Sequence, residues 1–447
     1  MSEHVVRSTP ASGGAMHSTG VDAERWPDVA RVPQSLGRAR LARAVIGRVT
    51  RRLPIQIQLP DGGRMPCGRT DVDGEPVLVL HRPDAFYRRV AAGGLIGFGE
   101  AYQAGDWDCA DLVGLISAFA DGVETIVPQG FHWLRHVHGP RFPRSDDNTV
   151  AGSRRNVRRH YDLSNELFAL FLDPSMLYSS ALFTAAGTAP AGPAMVAGDP
   201  GRPLLADLTE AQHRKVDRLL DLAGVRTGSR VLEIGTGWGE LAIRAAERGA
   251  HVHTVTVSEQ QAALARERAA AAGVADRIDV RLCDYREIER GEAGYDAVLS
   301  VEMIEAVGEK YWPTYFRTLD RLLANGGRIG LQAITMRHDR MVAARHSYTW
   351  MHKYVFPGGL IPSVRAIEAH VARHTSLHVA ERLDFGQHYA QTLRLWRERF
   401  AERAAEVGRL GFDETFRRTW RLYLAYSEAG FHTGYLDVCQ LALARAG

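Results

Sequence analysis

Between residues 229 and 305, short apolar segments alternate regularly with helical segments. The apolar segments include VLEIG, AHVHTVTVS, DRIDVRLCD and YDAVLSVEMIE, and the helical ones include AIRAAERG and EQQAALARERAAAAG. Strands and helices that alternate in this way form βαβ units, which build a parallel, doubly wound sheet. We therefore predict an α/β domain with a Rossmann-like, doubly wound and mostly parallel sheet, with its ligand at the carboxyl ends of the strands.

A glycine-rich loop, GTGWG at residues 235–239, follows the first of these strands. Glycine permits the tight turn and the close backbone approach that a bound ligand needs. The G-x-G-x-G spacing is one residue tighter than the dinucleotide fingerprint, and Glu233 precedes it. Both features favour S-adenosylmethionine, a cofactor without phosphates, over a dinucleotide. The alternative is a strand-to-helix turn that binds no ligand.

Polar residues follow the next two strands, where nucleoside-binding folds contact the ribose and the adenine. Thr256 stands where such folds usually offer Asp or Glu to the ribose, and Gln261 lies five residues later. Ser258 and Gln261 also match the capping box S-x-x-Q, so capping and cofactor binding both stay open for Gln261. Asp284 and Tyr285 are candidates for the adenine edge, although an Asp after a strand is often only a helix cap.

The composition is that of a globular protein, with 45% hydrophobic and 24% charged residues. The formal net charge of +3 is too small to indicate nucleic-acid binding. No run of about 18 apolar residues exists, so we predict a chain that does not span a membrane. The scattered cysteines predict a reducing cytoplasm, with neither a disulfide framework nor a metal site; they are Cys67, Cys109, Cys283 and Cys439.

Changes in composition divide the 447-residue chain into three parts. Residues 1–25 are mostly small and polar and are predicted to be a disordered tail. Residues 26–150 mix short alternating strands with helical stretches, which predicts a smaller α+β domain. Residues 151–447 carry the βαβ pattern and form the predicted S-adenosylmethionine-dependent domain. Within it, the Ala-, Gly- and Pro-rich stretch 185–203 predicts a flexible surface insertion.

Arginines cluster near the start of the predicted α+β domain. Between Ala30 and Pro60 there are seven arginines and no acid, interleaved with apolar residues such as Leu41 and Val45. A basic amphipathic helix of this kind can lie on an anionic membrane surface with its apolar face inserted. This predicts a lipid-associated N-terminal domain. A helix packed on its own domain is the alternative.

Longer segments carry a family resemblance across essentially all of residues 150–447. They are RRHYDLSNELFALFLDPSMLYSSALF, VLEIGTGWGELA, SVEMIEAVG, KYVFPGGLIPS and HYAQTLRLWRERF. These segments resemble the cyclopropane-fatty-acid synthase family, which includes the mycolic-acid cyclopropane synthases. The segment GGLIGFGEAYQAGDWDC resembles the N-terminal domain of the longer, phospholipid-acting members. GRIGLQAITM and YLAYSEAGFHTGYLDV are similar to an actinobacterial branch linked to methyl-branched acids of the tuberculostearic type.

The resemblance implies that the Rossmann-like domain is a class I methyltransferase domain, and it implies site residues by their position in these segments. It implies S-adenosylmethionine binding by Tyr161, Tyr178, Ser179, Gly235, Gly237, Thr256 and Gln261. It also implies a bicarbonate ion as catalytic base, held in the family by a Cys, a Glu, a His and a Tyr. Those positions fall on Ser180, Glu305, Gln332 and Tyr389, so Ser replaces Cys and Gln replaces His. Serine and glutamine can still donate hydrogen bonds to an anion; a weakened site is the alternative.

The resemblance implies methyl transfer from S-adenosylmethionine to the double bond of an unsaturated, oleoyl-type acyl chain on a membrane phospholipid. An aromatic face can stabilise the resulting carbocation, with Tyr389 as the candidate, and a base then removes a proton. The branch resemblance and Gln332 favour a 10-methylene product, which a separate reductase could saturate, over a cyclopropane ring.

Three other functions stay open at this point. Cyclopropane formation on the same substrate is the first. The second is a protein that binds lipid or S-adenosylmethionine without turnover, which the residues Ser180 and Gln332 motivate, and the third is a methyltransferase for a small soluble amine. The expected location is the cytoplasm, with peripheral attachment to the inner face of the cell membrane. The longer relatives imply a homodimer.

Overall fold

The computed structural model describes residues 20–34, 36–65, 74–126, 143, 146–161, 164–184, 188–191 and 194–445. The chain divides into two compact units. The first contains the chain up to Ala118 together with Asp413–Leu422, and the second contains Phe119–Phe412 together with Tyr423–Gly447. Residues 1–19 of the predicted tail and Cys67 lie outside the described residues. The domain limits at residues 25 and 150 stay predictions.

The first unit has a small α+β arrangement. Its strands are β1 (Gln56–Gln58), β2 (Val77–Leu80) and β3 (Trp107–Asp108). Strand β2 pairs in parallel with β1 and antiparallel with β3. Its helices are α1 (Pro27–Ala30), α2 (Leu36–Thr50), α3 (Pro83–Gly93), α4 (Leu95–Gln103) and the start of α5 (Leu112–Ile126). The predicted α+β character of the N-terminal part is confirmed.

Helices α3 and α4 approach each other closely within the first unit. A Cβ atom at Gly97 would collide with the carbonyl oxygen of Arg89, so no larger residue fits there without a shift of the helices. The Arg89 side chain is 1% exposed, and its Nε donates to Oδ2 of the buried Asp106 at 2.9 Å. Arg89 also donates to the carbonyl of Val29 in α1. The buried guanidinium is therefore paired and joins α1 to α3.

The second unit contains a nine-stranded sheet. Its strands are β4 (Thr188–Ala191), β5 (Ala194–Ala197), β6 (Arg230–Ile234), β7 (His251–Thr256), β8 (Ile278–Leu282), β9 (Tyr295–Val301), β10 (Leu323–Met336), β11 (Leu377–Asp384) and β12 (Leu436–Arg445). Their order across the sheet is β4-β5-β11-β12-β10-β9-β6-β7-β8. The run from β10 to β8 is parallel, whereas β12 is antiparallel to β10 and β11. The predicted doubly wound, mostly parallel sheet is confirmed.

Helices cover both faces of this sheet. The helices of the second unit are α6 (Val150–Tyr161), α7 (Asn165–Phe171), α8 (Leu208–Leu222), α9 (Glu240–Glu247), α10 (Glu259–Ala271), α11 (Ile304–Val307), α12 (Trp312–Leu322), α13 (His338–Ala344), α14 (Trp350–Tyr354), α15 (Val364–His374), α16 (Gly386–Glu402), α17 (Ala404–Arg409) and the part of α18 (Glu414–His432) from Tyr423 onward. Val298 of β9 packs in one apolar cluster with α12 and α15, whereas Ala297 and Leu299 pack in another with α8 and α9. Because successive strand residues point to opposite faces, these two clusters lie on opposite sides of the sheet.

The order of the parallel strands reverses between β6 and β9. Strands β7 and β8 lie on one side of this pair and β10 lies on the other. In open α/β sheets, ligands bind outside the carboxyl ends of the strands at such a switch point. Gly235 directly follows β6, and Glu302 directly follows β9. Both residues therefore lie where this fold places its ligands.

The prediction of a flexible insertion at residues 185–203 is wrong for most of the residues described there. Strands β4 and β5 pair antiparallel, and β5 pairs in parallel with Leu383 and Asp384 of β11. Ala, Gly and Pro are depleted in strands, so composition favoured a loop. The edge of β11 provides backbone partners that the composition could not reveal. Residues 185–187 and 192–193 lie outside the described residues.

The arginine-rich segment forms helix α2, as predicted. Leu41 and Val45 lie one turn apart on this helix and are 66% and 52% exposed. These two apolar side chains are therefore not buried by their own unit. Among the helices that the structure describes, none is long and apolar enough to cross a bilayer.

Candidate active site

The glycine-rich loop between β6 and α9 has a backbone that favours glycine at three positions. The φ angles are 96° at Gly235, 51° at Gly237 and 93° at Gly239. A Cβ atom at Gly235 would lie 2.8 Å from Cγ of Met303, and one at Gly239 would lie 3.1 Å from Cβ of Ala265. The backbone thus turns tightly at the start of α9, as close approach to a ligand requires. Cofactor binding by Gly235 and Gly237 stays a prediction.

Glu233 supports this loop through a buried polar network. The residue is 3% exposed, and the hydroxyl of Thr254 donates to its Oε2 at 2.6 Å. The same hydroxyl lies 2.7 Å from Oγ1 of Thr236 in the loop. Burial raises the pKa of Glu233 to about 8, against the lowering effects of Thr254 and Lys215. The carboxyl group is therefore mostly protonated at pH 7.

Thr256 and Gln261 are joined by a side-chain hydrogen bond. Oγ1 of Thr256 donates to Oε1 of Gln261 at 2.8 Å. Oγ of Ser258 accepts from the backbone nitrogen of Gln261 at 3.3 Å, which confirms Ser258 as the cap of α10. The backbone nitrogen of Ser258 donates to Thr256 at 3.1 Å. Because Gln261 bonds to Thr256, it does not complete a capping box, and cofactor binding stays the prediction for both residues.

Asp284 is engaged by its own chain. Its Oδ1 accepts from the backbone nitrogen of Arg286 at 3.0 Å, and the Arg286 guanidinium pairs with its Oδ2 at 2.7 Å. Its backbone nitrogen donates to Glu287 at 3.1 Å, which completes a capping box. Tyr285 is 7% exposed, and its ring packs edge-on against Tyr315. The structure thus gives Asp284 a capping role, and adenine binding by Asp284 and Tyr285 stays a prediction.

Tyr178 lies in an aromatic cluster. Its ring centroid is 5.2 Å from that of Phe168 and 5.3 Å from that of Trp396. Its hydroxyl oxygen lies 2.6 Å from that of Tyr423. Tyr161 is the last residue of α6, and its side chain lies outside the described residues. Roles in S-adenosylmethionine binding stay predictions for both tyrosines.

Ser179 contacts a fully buried lysine. Nζ of Lys215 donates to Oγ of Ser179 at 2.6 Å. Burial lowers the pKa of Lys215 to about 8, while the charges of nearby acids, Glu302 first among them, raise it. Ser179 is 4% exposed, and its hydroxyl is oriented by this ammonium group. Its contact with the cofactor stays a prediction.

Three groups donate hydrogen bonds to the carboxylate of Glu302. The backbone nitrogen of Ser180 donates to Oε1 at 3.0 Å, and Nε2 of Gln332 donates to the same oxygen at 2.9 Å. The hydroxyl of Tyr389 donates to Oε2 at 2.7 Å. Ser180, Gln332 and Tyr389 are three of the four positions predicted to hold an anion. The structure brings them together around a carboxylate of the chain itself.

The orientation of the Gln332 amide is fixed by two further residues. Nη1 of Arg218 donates to Oε1 of Gln440 at 2.8 Å, and Nε2 of Gln440 donates to Oε1 of Gln332 at 3.0 Å. A guanidinium can only donate, so Gln440 must present its NH₂ group to Gln332. Gln332 must then present its own NH₂ group to Glu302. Strand pairing supports this arrangement, because Gln332 in β10 lies opposite Gln440 in β12.

Glu305, the fourth predicted position, lies beside this cluster without sharing its donors. Its Oε1 accepts from the backbone nitrogen of Ile334, and its Oε2 has no partner among the described residues. Burial, followed by the nearby charge of Glu302, raises the pKa of Glu305 to about 8. The two carboxyl groups therefore differ in environment, since Glu302 has three donors and Glu305 has one.

Burial also raises the pKa of Glu302 above its ordinary value, but four neighbours lower it. In order of effect these are the Ser180 amide, the Tyr389 hydroxyl, the Gln332 amide and the Lys215 charge. Tyr389 is 6% exposed, and its ring lies 4.4 Å from that of Phe431. Burial raises the pKa of Tyr389 well above its usual range, so its hydroxyl donates at neutral pH.

Sequence reasoning missed Glu302. The resemblance drew attention to Glu305 in the E-x-x-G segment, and the other acid of VEMIE was not weighed. A signal was present, because Glu302 directly follows strand β9. Residues at the carboxyl ends of parallel strands are the ones that face a ligand in this fold.

The sequence profile of the family described as mycolic acid cyclopropane synthetase matches residues 149–441. The chain is 49% identical over 433 residues to the tuberculostearic acid methyltransferase UfaA1 of Mycobacterium tuberculosis, which covers 96% of this chain and 97% of that protein. It is 31% identical to the cyclopropane-fatty-acyl-phospholipid synthase of Escherichia coli, over 82% of this chain and 87% of that enzyme.

A similar solved structure is the mycolic acid cyclopropane synthase CmaA1 complexed with SAH and CTAB. The TM-score is 0.55 at 27% sequence identity, and the match covers 65% of this chain and 97% of that one. SAH is the product that S-adenosylmethionine leaves after methyl transfer. A relative of known structure with this fold therefore binds the product form of the predicted cofactor.

Proposed function

Because the chain belongs to the mycolic acid cyclopropane synthetase family, whose members methylate or cyclopropanate unsaturated fatty acyl chains with S-adenosylmethionine, we propose that it makes a 10-methylene-branched acyl chain on a membrane phospholipid. The name of its 49%-identical relative refers to tuberculostearic acid, a methyl-branched acid. The name of the Escherichia coli relative refers to phospholipid acyl chains. Together these names support both the methylene-branched product and the phospholipid substrate of the proposal.

The observation that carries the proposal is the position of the hydrogen-bonded acid. Glu302 follows β9, and the glycine-rich loop follows β6, the neighbouring strand. Gly235 and Met303 are so close that a Cβ atom on the glycine would touch the methionine side chain. A base and a cofactor loop at adjacent strand ends are what a reaction of methyl transfer followed by proton loss requires.

S-adenosylmethionine supplies an electrophilic methyl group, and the residues of this chain fit its binding. The tight loop at Gly235 and Gly237, the linked pair Thr256 and Gln261, and the oriented hydroxyl of Ser179 are suitable contacts for a nucleoside and an amino acid. An alkene is a weak, uncharged nucleophile, so the chain must exclude water and align the two reactants. The aromatic cluster around Tyr178 contributes apolar walls of the kind that this requires.

The bicarbonate ion implied by the resemblance does not fit these residues. The amide of Ser180, the amide of Gln332 and the hydroxyl of Tyr389 already donate to Glu302. The Ser180 hydroxyl donates to the carbonyl of Ala181. A second anion would compete for these donors and would lie against a carboxylate. We therefore derive no step through bicarbonate.

The exposed residues of α2 support attachment to a membrane. Leu41 and Val45 are exposed on one face of the helix, and neighbouring arginines such as Arg38 and Arg48 are exposed with them. Apolar side chains among arginines suit insertion into an anionic surface. We propose that this helix brings the enzyme to the inner face of the cell membrane, where its phospholipid substrate lies.

Two partners complete the proposal. A methylene branch becomes a saturated methyl branch only after reduction, so the product is a substrate for a separate reductase. The homodimer implied by the longer relatives is a second proposal, which light scattering of the purified protein tests.

The experiment incubates purified protein with S-adenosylmethionine and vesicles of oleoyl phospholipid. The acyl chains are then released as methyl esters and identified by mass spectrometry. A methylene-branched ester supports the proposed product, and a cyclopropane ester in its place would replace it with ring formation. Methylation of oleoyl thioesters but not of vesicles would overturn the phospholipid part.

A further inference from the structure

The carboxylate of Glu302 accepts hydrogen bonds from three of the four positions at which the family resemblance implies an anion. We propose that Glu302 itself is the catalytic base, which makes the enzyme independent of bicarbonate. This inference rests on the proposed function only in that the reaction ends with loss of a proton. It applies whichever unsaturated acyl substrate the enzyme uses.

The donors around Glu302 suit a base that belongs to the chain. A carboxylate and bicarbonate share the planar O–C–O group, so donors arranged for one can hold the other. Oε1 accepts from Ser180 and Gln332, and Oε2 accepts from Tyr389. Glu302 remains partly exposed, whereas Ser180 and Gln332 are fully buried. Three donors therefore hold the carboxylate of a residue that is not completely buried.

Both departures from the family pattern are consistent with this role. At position 180 the hydrogen bond to Glu302 comes from the backbone nitrogen, so a Cys side chain is not needed. At position 332 the NH₂ group of the amide points toward Glu302, because Gln440 and Arg218 fix the orientation of the amide. A histidine ring would present a donor or an acceptor depending on its tautomer. Gln332 always presents a donor to the carboxylate.

The backbone conformation of Glu302 is a second, independent indication that this residue has a functional role. Its φ angle is +50°, in the left-handed region that favours glycine. Strained residues of this kind persist mostly at functional sites, where the surrounding structure holds them. The backbone nitrogen of Glu302 donates to the carbonyl of Gln332 at 2.8 Å, which is one such constraint.

Glu305 does not compete for the role. No side chain among the described residues donates to it, and burial raises its pKa to about 8, so it is mostly protonated at pH 7. Two ionised carboxylates side by side would repel each other, and a neutral Glu305 avoids this cost. Glu302, with three hydrogen-bond donors to its carboxylate, is the member of the pair whose anionic form the structure stabilises more.

The proposed reaction consists of methyl transfer, a hydride shift and the loss of one proton. The alkene π electrons form a bond to the transferred methyl carbon while the C–S electrons remain on sulfur, which leaves a cation on the other alkene carbon. A hydride shift from the methylated carbon moves the cation next to the new methyl group. Glu302 takes a proton from that methyl group, and the C–H electrons form the methylene double bond. Without the hydride shift, the same proton loss closes a cyclopropane ring.

The test compares Glu302→Gln and Glu302→Gly with the wild type in CO₂-free buffer, with and without added bicarbonate. Glutamine keeps the size but is not a base, and glycine suits the positive φ and opens space for an anion. We expect Glu302→Gln to lose about 10²- to 10⁴-fold in kcat with unchanged S-adenosylmethionine affinity, since general bases contribute about that much. We expect added bicarbonate or formate to restore activity to Glu302→Gly and to leave the wild type unaffected.

A matched control is Glu309→Gln, which removes an acid paired with Arg345 a few residues along the chain and should retain activity. Turnover is measured as SAH release on a panel of oleoyl phospholipid, thioester and free acid, so failure of the phospholipid proposal does not affect the comparison.

Binding of ¹³C-labelled bicarbonate, followed by NMR, gives a readout without turnover. Binding to Glu302→Gly but not to wild type supports the proposal. Bicarbonate binding or dependence in the wild type, or full activity of Glu302→Gln, would overturn it.

Discussion

Nε2 of Gln440 lies 3.0 Å from Oε1 of Gln332 and donates to it, so the opposite, NH₂ end of the Gln332 amide faces Glu302. A glutamate at position 440 could only accept, and it would turn the Gln332 amide around. We expect Gln440→Glu to place a carbonyl against Glu302 and to raise the pKa of that carboxyl further, because the carboxylate then loses the hydrogen bond from the Gln332 amide.

The measurement for Gln440→Glu is the pH profile of kcat. The base works as a carboxylate, so kcat rises with pH through its pKa, and the variant's rise should lie at higher pH than the wild type's. Gln440→Glu should also retain affinity for S-adenosylmethionine. A profile that does not move would mean that the amide orientation has no influence on the base.

Tyr389→Phe tests the hydrogen bond to the second carboxylate oxygen. The variant loses the donor that lies 2.7 Å from Oε2 of Glu302 but keeps the ring that packs on Phe431. We expect kcat to fall about ten- to a hundredfold at neutral pH, with a melting temperature within a few degrees of the wild type. Loss of this hydrogen bond should raise the pKa of Glu302, so part of the activity should be recovered as the pH is increased. Loss that is equal at all pH values would instead assign Tyr389 to the carbocation alone.

Glu233 makes the stability of the fold depend on pH. Its pKa is about 8 in the folded chain and close to 4.5 when unfolded, so the folded state binds more protons between these values. Its contribution to stability is complete below pH 4.5 and is lost as pH rises toward 8, at up to about 1.4 kcal/mol per pH unit. We expect Glu233→Gln to reduce this slope in urea unfolding between pH 5 and 8. If the free energies of unfolding of the wild type and Glu233→Gln change equally with pH, Glu233 is ionised in the folded chain.

Gly97→Ala tests the close approach of α3 and α4. The added methyl group would meet the carbonyl oxygen of Arg89, and overpacking of this kind costs about 1–3 kcal/mol. Gly37→Ala in α2 is the matched control, because its Cβ atom has no neighbour within 4 Å. The control should be neutral or stabilising by up to about 1 kcal/mol. Equal urea midpoints for the two variants would contradict the predicted difference.

Leu41→Glu tests the proposed membrane face of α2. Leu41 is 66% exposed, and its replacement puts a negative charge among arginines at the proposed lipid surface. We expect binding to vesicles containing phosphatidylglycerol, measured by sedimentation, to be about ten- to a hundredfold weaker, since burial of a leucine side chain is worth roughly 1.5–3 kcal/mol. Val342→Glu, at a residue that is 44% exposed on α13, controls for charge and should bind as the wild type does. A similar loss of vesicle binding in both variants would argue against a membrane-binding face on α2.

The sequence predicted the sheet well because its strands are short apolar runs with glycine-rich turns between them. The helix cap at Ser258 could also be predicted from the sequence, because it depends on two residues that are three positions apart in the chain. The position of Glu302 after β9 could be predicted, but its hydrogen bonds could not, since Ser180 and Tyr389 lie 122 and 87 residues away along the chain. Neither its left-handed backbone nor the bond between Thr256 and Gln261 follows from spacing alone. The pairing of β5 with β11 was missed for the same reason.

The pairing of Gln332 with Gln440 has a consequence for synthesis of the protein. Strand β12 follows every other described strand in the chain, yet it inserts between β10 and β11. Until it does so, nothing holds the amide of Gln332 with its donor toward Glu302. A nascent chain can therefore form the cofactor loop and most of the parallel sheet well before it can remove a proton. With Glu302 in its proposed role, catalytic competence is acquired only when β12 has entered the sheet between β10 and β11.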